Sequence, residues 1–249
     1  MRVVVTGGAG FIGANLVARL LEARAPAEIV VLDDLSTGQR ANVPDTSAVE
    51  FVECSLLDQR GVRVACRGAD AIVHLGALPS VPRSIKDPVA SHHTNATGTV
   101  HVLEAARDTD AYVVVASSSS IYGGNPTLPK HEGLAPRPLS PYAASKLAAE
   151  AYTLAYAASF DLEVLAFRFF NVYGPRQAAD HAYAAVVPKF VAAALAGDKL
   201  VVHGDGEQTR DFTFVESVTA VLADAVERKV TSADPNSSII SRGVREFRS

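Results

Sequence analysis

The chain has 249 residues, of which 48% are hydrophobic and 20% charged, and its formal net charge is -4. That composition excludes disorder and collagen-like repeats, and a chain of this length buries a core without staples. The mild acidity, with no run of lysine or arginine, argues against a nucleic-acid surface.

In chain order, β-branched runs at Arg2–Thr6, Glu28–Leu32, Val49–Cys54, Ala71–His74, Ala111–Ala116 and Leu162–Phe167 read as buried strands. Between them lie amphipathic stretches, Ala14–Ala23, Ala96–Arg107 and Ala143–Ala158. Strand and helix in this rhythm predict an α/β fold, a doubly wound parallel sheet of Rossmann type with helices on both faces. The loop from Gly123 to Pro141 is long enough to be functional rather than idle. From Tyr173 the rhythm loosens, and Val187–Ala196, Leu200–His203 and Phe212–Leu222 suggest a smaller helix-and-strand appendage. The organisation expected is therefore a nucleotide-binding domain over 1–172, a partial substrate region over 173–230 and an aperiodic polar tail over 231–249.

Cys54 and Cys66 belong to no metal-spaced cluster, and two thiols in so long a chain point to a reducing compartment. Val3–Val5 runs straight into glycines, and the alanine-rich stretch Ala182–Ala196 is broken by Pro188 and Lys189, so no signal peptide or membrane span is expected. The expected location is the cytoplasm.

Gly7, Gly10 and Gly13 sit between the first strand and the first helix in a G-x-x-G-x-x-G spacing, a variant of the dinucleotide fingerprint. Such a turn brings backbone N–H groups and the positive end of a helix dipole to a pyrophosphate. A tight turn with no ligand would use the same glycines. Asp33 follows Gly13 by 20 residues and closes the second strand, where a carboxylate accepts from ribose hydroxyls and repels a 2′-phosphate. NAD is therefore expected over NADP, against the plainer reading of Asp33 as a strand-end turn residue.

Tyr142 and Lys146 stand four residues apart on one helix face, behind Ser140 as N-cap and Pro141 at the first helical position. A nearby ammonium favours the phenolate, so Tyr142 is expected to act as a base with a lowered pKa. Ser117–Ser120 follows the fifth strand at its carboxyl end, where open α/β sheets bind ligands. A polar strand-to-loop transition would account for the serines equally well.

Together, Gly7–Gly13, Asp33, Ser117–Gly123, Tyr142–Lys146 and Arg168–Gly174 resemble the extended short-chain dehydrogenase/reductase family, and within it the UDP-glucose 4-epimerases and their nucleotide-sugar relatives. The resemblance runs from Met1 to about Val218. It implies a catalytic set of Tyr142, Lys146 and Ser118. It implies NAD contacts from Phe11 and Ile12 along the pyrophosphate and from Asp34, Leu35, Ser36, Thr37 and Gly38 at the adenosine. Further NAD contacts are implied at Ser55, Leu56, Leu75, Gly76, Ala77, Asn95 and Phe170. For the sugar nucleotide it implies Asn171, a uracil-cradling strand with Leu200, Val201 and His203, and Arg210 on the diphosphate, beside Ser118 and Tyr142. It also implies a homodimer built on the helices around Ala96–Arg107 and Ala143–Ala158.

The implied reaction is epimerisation through a transient keto sugar, with no metal. A 4,6-dehydratase shares the opening step but needs an acid and a base just after the catalytic serine, where this chain has Ser119 and Ser120. A reductase, or an NAD-binding paralogue without turnover, is the remaining alternative. Departures from the family pattern stand at Ser55, usually Asp, and Gly76, usually Ala. The segment Asn236–Ser249 matches none of the strand, helices and second arginine that relatives carry there. That mismatch predicts weakened sugar-nucleotide binding and uncovered apolar faces on Val187–Ala196 and Val218–Ala225.

Overall fold

The computed structural model describes residues 1–23, 26–179, 184–202 and 204–231. The strands β1 (Arg2–Thr6), β2 (Glu28–Asp33), β3 (Val49–Glu53), β4 (Ala71–His74), β5 (Tyr112–Ser118) and β6 (Val164–Phe169) form one six-stranded sheet in the order β3-β2-β1-β4-β5-β6. Every pairing in it is parallel. The six expected strands are all present, with ends shifted by a residue or two.

Both faces of this sheet are covered, which is why its strands read as unbroken apolar runs rather than as alternating ones. Val3, Val5, Ile29 and Val31 pack with Leu16, Val17 and Leu20 of α1 (Phe11–Ala23). On the other face Val4, Val30 and Ile72 pack with Val62 of α2 (Gln59–Ala65) and with Val102 and Leu103 of α5 (Gly98–Thr109).

Two short helices, α3 (Val81–Lys86) and α4 (Pro88–His92), precede α5, and a π-helical turn over His93–Thr97 links α4 to α5. Their starts follow from local chemistry. Ser80 and Asp87 each accept a backbone N–H at the helix N-terminus, and a proline stands in the first turn of each helix. The long helix α6 (Pro141–Phe160) begins as its sequence predicts, with the Ser140 hydroxyl accepting from Ala143 N at 3.1 Å.

The last third of the chain departs most from expectation. A small second sheet pairs β7 (Val172–Tyr173) with β8 (Thr213–Phe214). Helix α8 (Val215–Arg228) does not belong to an appendage: Val218, Leu222, Ala225 and Val226 are buried in the same core as α1, and Tyr112 donates to the Val230 carbonyl at 2.6 Å. The expected bare apolar face on Val218–Ala225 is thus covered by α1 and by the sheet. Helix α7 (Val186–Ala196) buries no residue, and Val191 and Leu195 are 53% and 85% exposed. Leu200–Val202 forms no strand and lies open, because no neighbouring strand among the described residues offers a ladder partner. His203 lies outside the described residues, as does the tail from residue 232.

Among the described residues, no helix is long and apolar enough to cross a membrane, and no group of His, Cys, Asp or Glu is arranged to hold a metal ion.

Candidate active site

Parallel strands bring their carboxyl ends to one edge, so Thr6, Asp33, His74 and Ser118 finish side by side. A cavity of about 480 Å³ opens there, where the strand order turns back between β1 and β4. One half is lined by Gly7, Gly10, Phe11, Ile12, Gly13, Asp33, Asp34, Ser36 and Thr37, and the other by Ser117–Ser120, Tyr142, Lys146 and Asn171. Leu56, Leu75, Gly76 and Ala77 lie between them.

The glycine loop needs its glycines. Gly7 has φ +69°, and a Cβ there would lie 2.7 Å from the Gly76 backbone nitrogen. A Cβ on Gly13 would be driven into the Gly7 carbonyl oxygen. With both bare, α1 starts directly on the cavity. The N–H groups of its first turn, on Phe11, Ile12 and Gly13, have no carbonyl to bond within the helix. Such an N-terminus is suited to a phosphate.

Asp33 is 7% exposed, and its carboxylate serves the fold as well as the cavity. Oδ2 accepts from Ala9 N at 3.0 Å and Oδ1 from Leu35 N at 2.9 Å. Burial pushes its pKa up, and these backbone donors oppose the rise. The ribose-binding and turn-forming readings of Asp33 therefore describe the same side chain.

At the other end, Ser118 closes β5, and its Oγ accepts from Ser120 N at 3.2 Å and from the Ser120 hydroxyl at 2.9 Å. Its own proton remains for the Tyr142 phenol, whose pKa is lowered by this hydrogen bond. The net result for Tyr142 is nevertheless upward, because burial dominates. This corrects the expectation that the neighbouring Lys146 lowers the pKa of Tyr142. Lys146 is itself buried, and burial pushes it down from 10.5 to about 8 against the attraction of Glu150.

Several implied contacts fall elsewhere. Asn95 does not line the cavity: it is 1% exposed, accepts from Leu78 N at 2.7 Å and donates to Ser145 Oγ at 2.9 Å. Its neighbour Thr94 reaches the cavity instead, from the π-helical turn. Phe169 lines the wall in place of Phe170, which packs on Tyr122 with centroids 6.0 Å apart, because successive side chains at a strand end point opposite ways. Ser55 turns its hydroxyl to Leu57 N at 3.2 Å, leaving Cys54 and Leu56 on the wall. Leu35 and Gly38 lie behind Asp33 rather than on the cavity surface. Arg210 is exposed and donates to the Thr209 carbonyl at 2.7 Å, away from the cavity with Leu200 and Val201.

Residues that sequence reasoning passed over include Cys54, Pro79, Thr94 and Val172 on the wall, whereas His74, expected with Leu75–Leu78 to line the cofactor, is buried and does not line the cavity. His74 is pushed down to about 3 by burial and by the Lys146 charge, so it is neutral. It bonds Thr6 Oγ1 at 2.7 Å and Thr99 Oγ1 at 2.9 Å, and Thr6 Oγ1 accepts from Gly76 N at 3.2 Å. No local pattern marks these groups, since strand pairing and the packing of α5 on the sheet bring them together.

Comparison with known proteins agrees with this geometry. The family model described as the NAD dependent epimerase/dehydratase family matches residues 3–240. A UDP-glucose 4-epimerase from Mycolicibacterium smegmatis is 42% identical over 232 residues, covering 90% of this chain and 73% of the relative. A UDP-N-acetyl-alpha-D-glucosaminuronate decarboxylase from Bacillus cytotoxicus is 35% identical over 254 residues, covering 100% of this chain and 76% of the relative. The structure of a Thermus thermophilus UDP-glucose 4-epimerase in complex with NAD superposes with a TM-score of 0.83 at 40% identity, covering 91% of this chain and 74% of that one. The glycine loop, the carboxylate beyond it and the shared cavity thus fit a dinucleotide, and the chain belongs to the NAD-dependent epimerase/dehydratase family.

Proposed function

We propose that this protein is an NAD-dependent nucleotide-sugar 4-epimerase, interconverting UDP-glucose and UDP-galactose through a transient 4-keto sugar. The observation that carries the reading is one cavity in which the glycine loop and Asp33 face the Ser118, Tyr142 and Lys146 cluster. The likeness to UDP-glucose 4-epimerases supports the substrate. Ser119 and Ser120 on the wall leave no carboxyl pair beside Ser118 for eliminating water. Among the described residues lining the cavity Lys146 is the cation, and a decarboxylase would need another for the sugar carboxylate.

Gly7–Gly13 and Asp33 would hold the pyrophosphate and adenine ribose of NAD, which when bound supplies the hydride acceptor and donor. Tyr142 takes the proton of the sugar 4-hydroxyl. Ser118 stabilises the phenolate by donating to it, and Ser120 in turn donates to Ser118. Lys146, on the same wall, would oppose through its positive charge the rise that burial imposes on Tyr142. Residues 1–172 would carry this machinery, with α8 as part of its core, and the segment around Asn171 and β7–β8 would bear on the sugar nucleotide. Asn171 anchors that segment by donating to the Asp211 carbonyl at 2.9 Å.

Incubation with UDP-glucose, UDP-galactose, UDP-glucuronate and dTDP-glucose, with products resolved by chromatography, tests the reading. Interconversion of the first two without net consumption of NAD is expected. Carbon dioxide from UDP-glucuronate, or a 4-keto-6-deoxy product from dTDP-glucose, without epimerisation would overturn it.

A further inference from the structure

Behind the cavity lies an ion-pair cluster that the reaction above does not use. Glu150 and Arg168 have side chains only 4% and 9% exposed. Glu150 Oε1 accepts from Arg168 Nη2 at 2.6 Å and from Nε at 3.1 Å. Oε2 accepts from the same Nε at 3.1 Å and from the Ser117 hydroxyl at 2.5 Å. Arg168 Nη1 donates to the Tyr122 hydroxyl at 2.9 Å and to the Glu132 carbonyl at 3.3 Å, and its guanidinium sits 5.0 Å from the Tyr122 ring centroid.

A buried ion pair is weak evidence for stability, since hydrophobic replacements often serve as well. This one has a more specific setting. Glu150 stands one helical turn beyond Lys146 on α6, so the two side chains share a face. The Ser117 that bonds it is the residue before Ser118.

We infer that Glu150 is a positioning residue for the proposed reaction: the counter-charge of Lys146 and the brace that ties the strand of Ser118 to the helix of Tyr142. Arg168 pairs directly with this buried carboxylate, and Lys146, one helical turn away, is held up by the same charge. The other groups near Lys146 do not supply a negative charge. Tyr142 on its own helix is pushed toward the neutral phenol, and His74 from β4 is neutral. Arg168 from β6 is positive, and the neighbouring α3, α4 and π-helical turn carry Arg83, Lys86, His92 and His93, with the carboxylate of Asp87 exposed between α3 and α4 and accepting from Ala90 N. Glu150 is the charge that opposes the effect of burial on it.

The inference rests on Lys146 being the cation of the site, so its test reads Lys146 without turnover. Acylation of Lys146 in the cofactor-free protein, followed against pH by peptide mass spectrometry, reports its titration. Glu150→Gln should move that titration down by about 1–3 pH units, because an opposite charge is lost and Arg168 is left uncompensated. Removing Arg168 as well, in Glu150→Gln/Arg168→Gln, should bring the titration part of the way back, between the single variant and wild type. A brace without an electrostatic role would lower kcat and the melting temperature and leave the titration of Lys146 unmoved. That result, in a Glu150→Gln protein that still binds NAD, overturns the inference. If the single variant does not fold, the double variant, which no longer leaves Arg168 unpaired, decides: titration below wild type supports the inference, and titration equal to wild type overturns it. Loss of epimerase activity toward every sugar, with these shifts intact, would count against the proposed function alone.

Discussion

Replacing Lys146 by Met should stabilise the cofactor-free protein while removing its turnover. Lys146 is 5% exposed, and burial pushes it from 10.5 to about 8 even with Glu150 nearby. Below about pH 8 the lysine is charged both folded and unfolded, and the folded state bears the whole desolvation cost. Between about 8 and 10.5 the unfolded chain binds more protons than the folded one, so wild-type stability rises with pH and the cost fades. At 1.36 kcal/mol per pH unit the full cost is about 3 kcal/mol. Methionine fills a similar volume without a charge, and Glu150 keeps its pairing with Arg168. For a domain of this size, 1 kcal/mol moves Tm by about 2–4 °C, so a rise of about 6–12 °C is expected near neutral pH. Melting curves of wild type and Lys146→Met at about pH 7 and about pH 10 would measure it, with the gap narrowing at the higher pH. No gain near neutrality, or a gain independent of pH, would refute the account of a buried charge retained for function at the expense of stability.

Tyr142→Phe should lower kcat by about 10²–10⁴-fold while NAD binding, measured by calorimetry, is retained; most of the rate surviving would remove Tyr142 from the proton path. Gly13→Ala should abolish NAD binding and lower Tm, since its Cβ meets the Gly7 carbonyl; normal binding would contradict the tight-loop geometry. Asp33→Ala should narrow the preference for NAD over NADP in paired titrations and weaken both, because the Ala9 and Leu35 N–H groups lose their acceptor. An unchanged preference would detach Asp33 from the ribose. Association into a homodimer is expected to use the outer face of α6, where Ala144 and Tyr152 are exposed while Ala143 and Ala149 pack inside the fold. A single-chain mass by light scattering at micromolar concentration would exclude it.

Local chemistry was enough to read the strands, the glycine loop, the Ser140–Pro141 helix start and the Tyr142–Lys146 spacing from the chain. Each depends on residues close together in sequence: a periodicity, a cap, a turn that admits no Cβ. The same kind of signal stood unread at Ser80 and Asp87, whose capping starts α3 and α4. What the sequence could not decide depends on pairing across the sheet. Nothing near Leu222 indicates that α8 returns to cover α1, β4 and β5, because an amphipathic helix does not name the surface it will bury against. Leu200–Val202 looks like a strand, but a strand exists only when a neighbour supplies its ladder. The pKa values of Tyr142 and Lys146 follow the same rule. Their spacing along the helix is local, whereas their protonation is set by burial in the packed fold and, for Lys146, by a carboxylate that Arg168, 18 residues further on, holds in place. Desolvation is a property of the packed whole, so only the tertiary structure could assign it.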